Sequence, residues 1–135
     1  MNLGAVAEEL RAALGVIEGL NVAEWGVKRV QSPAAVVSLP ERVDYDATYG
    51  RGSDQLTDMA VLVLIARPTD PATLREVATY ADGSGPRSVK AAIEAHTYTS
   101  CDSVTVVSAE FERVSYADIE YLAAMFRLDI TGRGA

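Results

Sequence analysis

The segment spanning residues 34–67 constrains this chain more than any other. It reads as three strands joined by tight turns. Residues 34–39 are apolar apart from Ser38 and are closed by Pro40, which has no N–H to give to a ladder. In residues 42–49 Val43, Tyr45, Ala47 and Tyr49 share one face, and Arg42, Asp44, Asp46 and Thr48 share the other. Gly50-Arg51-Gly52-Ser53-Asp54 is turn chemistry, and residues 56–67 return as the antiparallel partner of 42–49. The run Val61-Leu62-Val63-Leu64-Ile65 has no polar face, so it is expected as a central strand covered on both sides. None of the three segments carries a catalytic signature. A sheet of this kind works by touching other proteins.

Helices and strands alternate in blocks around this segment. Leu3, Val6, Ala7, Leu10, Ala13, Leu14 and Ile17 recur at spacings of three and four, predicting a helix over 3–18 with Asn2 as its cap and Gly19 as its stop. Gly15 is a weak point inside it. Residues 20–25, ending at Trp25, are expected to be extended, and 26–33 a loop. Asp70-Pro71 opens a second helix with a buried stripe of Leu74, Val77, Ala78 and Ala81. Gly83-Ser84-Gly85 breaks it, and Pro86 starts a third helix ending near His96. In the last third Val104 and Val106 lie on one face and Val107, Ala109 and Phe111 on the other, a phase change that a bulge, or burial on both faces, would explain. In the final strand Leu122, Ala124, Phe126, Leu128 and Ile130 face one way, and Tyr121, Ala123, Met125, Arg127 and Asp129 the other. Residues 131–135 are expected to fray. This order predicts one α+β domain: a mainly antiparallel β-sheet with an N-terminal helix and a central helix pair packed on it.

Bulk properties narrow the function. The 135 residues, 49% hydrophobic and 23% charged, suit one globular core that needs no disulfide staple. The net charge of −7 argues against a nucleic-acid footprint, although an acidic surface lets DNA pass without sticking. One cysteine, Cys101, excludes an intrachain disulfide and a cysteine-built zinc site. The N-terminus does not read as a signal peptide. The longest apolar run, 59–66, is too short to span a bilayer, so no membrane role is expected.

The chemistry-bearing residues each have a plainer reading. Gly50-Arg51-Gly52 lacks the lysine and hydroxyl of a phosphate loop and joins two strands, so it reads as a hairpin turn. Gly83-Ser84-Gly85 reads as a hinge rather than an anion site. Asp44 and Asp46 point the same way, and Asp58 could lie across from them. Three carboxylates suit a hard cation, a solvated polar face, or an acidic surface turned to a lumen or a neighbouring subunit. His96 and Cys101 lie five residues apart, but no third residue marks them as a nucleophile pair. No enzyme activity, metal or cofactor is expected.

The sequence resembles the tail terminator proteins of long-tailed, siphovirus-type bacteriophages, in the form carried by phages of actinobacteria. The resemblance runs through Leu10 and Leu14, then Pro33-Ala34-Ala35-Val36-Val37-Ser38-Leu39-Pro40. It continues with Tyr45-Asp46-Ala47-Thr48-Tyr49-Gly50-Arg51-Gly52, the junction from Arg67 to Asp70, Tyr80-Ala81-Asp82-Gly83-Ser84-Gly85 and Ser88-Val89-Lys90. It covers nearly the whole chain, and its motifs are structural. The resemblance implies a virion protein, made in the host cytoplasm, that closes into a homo-oligomeric ring, commonly a hexamer, at the head-proximal end of the tail. Its partners are then its own copies, the major tail tube protein and the head-tail connector or neck protein, with DNA only as passing cargo. Tyr45, Tyr49, Arg51, Asp54, Arg87 and Tyr98 are the expected interface residues, because loops carry function and Tyr and Arg are enriched in interfaces. Asp44, Asp46 and Asp58 are the candidate lumen face. A neck or head-completion protein and a cytosolic small-ligand module, with an anion at the Pro86 helix start, are the competing readings.

Overall fold

The structure is a computed structural model that describes residues 2–23, 33–38, 43–44, 54–66, 69–116 and 118–133. Their order is α1 (Leu3–Leu14), β1 (Asn21–Ala23), β2 (Ala34–Ser38), β3 (Val43–Asp44), β4 (Asp54–Ala66), α2 (Pro71–Tyr80), α3 (Val89–Ala95), β5 (Ser103–Tyr116) and β6 (Ile119–Arg133). The fold is α+β, with a mainly antiparallel sheet in the order β1-β2-β4-β6-β5. Among the described strands only β1 and β2 run parallel. β2 and β3 both pair with β4 on the edge that β6 leaves free, Ala34 facing Leu64 and Val43 facing Thr57. The antiparallel return expected between residues 42–49 and 56–67 is therefore seen at Val43 and Asp44. Residues 45–53, with the Gly50-Arg51-Gly52 turn, lie outside the described residues. So do Trp25 and most of the 26–33 loop, Pro40, and Arg67.

All three helices pack on one face of the sheet. Val6, Leu10 and Leu14 of α1, Val77 and Tyr80 of α2, and Val89 and Ile93 of α3 form one buried cluster with Ala35, Val37, Met59, Val61, Val63, Ile65, Ala124, Phe126, Leu128 and Ile130. The strand alternation sends the other set of side chains to the opposite face. There Val36, Leu64, Tyr121 and Ala123 form a smaller buried cluster, flanked by the half-buried Leu62, Ala66 and Val114. β4 is thus central, but the helix layer covers only its odd-numbered side chains. The expected cover on both sides holds at Leu64, which is 1% exposed, and lapses at Ala60 and Leu62.

Three boundaries and one helix face differ from expectation. α1 ends at Leu14, with Gly15 as its C-cap bonded to Arg11; the glycine that weakens the helix ends it, and Ile17 is buried from a following turn. Gly19 takes φ +83 and turns the chain into β1. On α2 the buried face is Thr73, Val77 and Tyr80, whereas Leu74 is 64% exposed and Ala78 is exposed. Both sets satisfy helical spacing, and the Thr73 hydroxyl, donated to the Ala66 carbonyl at 3.2 Å, helps set the choice. α3 begins at Val89, not Pro86, because the Ser88 hydroxyl accepts from Ala91 N–H at 3.1 Å and caps it there. Finally, residues 131–133 do not fray: β6 continues to Arg133, which pairs with Asp54.

The bulge in β5 falls at Val107. The register passes from Val106–Leu128 to Ser108–Arg127, leaving Val107 unpaired and 58% exposed. The extra residue returns Ala109 and Phe111 to the side of Val104 and Val106.

Candidate functional site

Away from the helices, the lower half of the sheet carries a shallow depression of about 160 Å³ lined by Ser38, Asp58, Met59, Ala60, Leu62, Met125 and Arg127. Strand register builds it. Ser38 faces Ala60, Ala60 faces Arg127, and Leu62 faces Met125 across adjacent strands. The Ser38 hydroxyl donates to the Ala60 carbonyl at 3.1 Å. Arg127 leans towards Glu110 on β5, Nε to Oε1 3.5 Å. Asp58 faces Asp129 directly across the β4–β6 ladder, an arrangement that disfavours pairing between like charges. Asp58 Oδ1 is shut off from solvent and has no hydrogen-bond partner among the described residues. A buried carboxylate oxygen without a donor costs roughly 1–3 kcal/mol, more where it is charged. Sequence reading picked out Asp58 but missed its neighbours. The alternation that put Arg127 and Met125 on one face was legible, but the pairing of that face with Ser38 and Leu62 was not.

Of the expected acidic trio, Asp44 pairs in register with Leu56, not Asp58, and Asp46 lies outside the described residues. Among the described residues no group of three His, Cys, Asp or Glu could hold a metal ion. Tyr45, Tyr49 and Arg51 also lie outside them. Asp54 stands at the first position of β4. Arg87 is exposed at the end of the run 82–87, all of it exposed, where Gly85 at φ +110 turns the chain. Tyr98 is half-buried against the main core and donates its hydroxyl to the Ile93 carbonyl at 2.7 Å. Burial raises its pKa well above the ordinary phenol range.

The loop joining α3 to β5 is organised by a residue the sequence did not flag. Glu9 of α1 accepts from the Thr99 hydroxyl at 2.8 Å, from Thr99 N–H at 3.0 Å and from Ser100 N–H at 2.9 Å. The Thr99 hydroxyl bond is the main reason its pKa lies below the usual carboxylate value. His96 Nε2 stands 3.9 Å from the same carboxylate, and its ring meets Tyr98 edge-on. Cys101 is buried. Burial, with Glu9 and Asp102 nearby, pushes its thiol up to about 11. The free thiolate of a nucleophile is thereby disfavoured. The anion site of the competing small-ligand reading, at Pro86, loses its helix start, since Ser88 caps a helix of seven residues.

No described helix is long and apolar enough to cross a membrane. No family model and no curated protein matches the chain.

Proposed function

We propose that this protein is a subunit of a tail-terminator-type ring at the head-proximal end of a siphovirus tail. In that role it stops tube polymerisation and joins the tail to the connector. The observation that carries this reading is the asymmetry of the two sheet faces. One is sealed by three helices. The other offers half-buried apolar side chains and a carboxylate oxygen that lacks a donor. Two unlike faces on one subunit are what a heterologous, ring-closing contact requires. The α+β fold agrees with the architecture the resemblance implies, and the charge of −7 suits a conduit for DNA. The depression is small beside the roughly 300–1,000 Å³ of ordinary small-molecule pockets, which favours a protein contact at this face.

Electron micrographs of particles made without this protein test the proposal. Over-long tails, or heads and tails left unjoined, are expected. Full particles with tails of normal length would overturn it. Labelling at the neck rather than at the tube end would assign the chain to neck or head completion instead.

A further inference from the structure

We propose that the depression at Asp58 receives Arg87 of a second copy, and that this contact links neighbours in the ring. The inference rests on the ring reading above. Asp58 needs a donor and the sheet does not supply one. Its oxygen is buried without a partner, its cross-strand neighbour is another aspartate, and Arg127 is turned towards Glu110. A cation entering here would satisfy the oxygen and neutralise the Asp58–Asp129 repulsion. Its aliphatic stem would lie on Leu62 and Met125.

Among the described side chains few cations are candidates. Arg11 and Lys90 are paired with Glu8 and Glu94. Among the described residues, Arg75, Arg87 and Arg113 form no ion pair. Only Arg87 stands on an exposed loop, the run 82–87. Arg87 also belongs to the helix side of the sheet, two residues before Val89 of the helix-side core, whereas Asp58 opens on the opposite side. The two do not meet within one subunit, where Asp58 Oδ1 has no partner among the described residues. Between subunits they join unlike faces, which is the geometry of a closing head-to-tail contact. Arginine suits it because its planar fork satisfies a carboxylate through two parallel bonds.

Native mass spectrometry and sedimentation of the full chain test this. Wild-type protein is expected to assemble beyond a monomer. Arg87→Glu and the isosteric Asp58→Asn should each weaken self-association by roughly tenfold or more, with circular dichroism unchanged. The paired exchange Arg87→Glu with Asp58→Lys should recover assembly, and Arg75→Glu and Arg113→Glu should leave it intact. Normal assembly of Arg87→Glu overturns the contact but leaves the ring reading standing. An equal loss in Arg75→Glu also overturns it, pointing to general charge. A wild-type chain that stays monomeric at all concentrations overturns both.

Discussion

Glu9 on the first helix holds Thr99 in the loop after the third, ninety residues away, through both the backbone N–H and the hydroxyl. Four contacts from Thr99 and Ser100 converge on one carboxylate. The loop therefore takes its shape from a helix it does not adjoin in sequence. Glu9→Ala hands those donors to water, since Thr99 is exposed, and is expected to destabilise the fold by roughly 0.5–1.5 kcal/mol. Glu9→Gln, which keeps one carbonyl oxygen, should cost less. Urea denaturation of the three proteins measures the difference.

Acid should weaken the fold through the same group. Hydrogen bonds from Thr99 hold Glu9 below the ordinary glutamate value of 4.5. Lys90, with Val106 N–H, does the same for Glu94. A carboxylate whose folded pKa is lowered contributes stability that is complete above its unfolded pKa and is lost as pH falls through the folded one. Stability should thus be level above about pH 5 and decline below 4.5. Denaturant midpoints measured from pH 6 to pH 3 should fall less steeply in a Glu9→Gln, Glu94→Gln variant.

Cys101 should be a poor nucleophile in the native state. With its thiol pushed up to about 11 by burial and two nearby carboxylates, alkylation by iodoacetamide should be slow at neutral pH and rise only in strong alkali. The same cysteine in urea should react as an ordinary thiol. Fast alkylation of folded protein at pH 7 would show a far more exposed thiolate than this packing allows.

The two sides of α2 should answer differently to truncation. Leu74 is 64% exposed, so Leu74→Ala is expected to change stability by no more than about 0.5 kcal/mol. Val77, on the buried side of the same helix and 1% exposed, should cost roughly 1.5–3 kcal/mol when cut to alanine. Thermal melts of the two variants decide whether the buried stripe is Thr73, Val77 and Tyr80 or the one that includes Leu74.

The contrast on α2 shows where sequence reading runs out. Leu74, Val77, Ala78 and Ala81 and the set Thr73, Val77, Tyr80 share the same period, so hydrophobicity alone favours the leucine. The choice depends on the Ala66 carbonyl at the end of β4, a partner that no periodicity shows. The bulge at Val107 was legible because it shifts the phase of a pattern within one strand. The Asp58 depression was legible only in part, because its walls come from three strands whose neighbours are not consecutive.

By itself the sequence determined which segments form helices and strands and which side of β6 turns inward, because alternation and capping act over a few residues. It determined the α+β class as well, since the elements come in blocks. Tertiary structure alone decided that β2 and β3 share one edge of β4, that all the helices gather on one side, and that Asp58 meets Asp129 instead of a donor. Those outcomes depend on register between distant strands. Register is set by the whole core finding a common packing, and no local stretch of chain contains it.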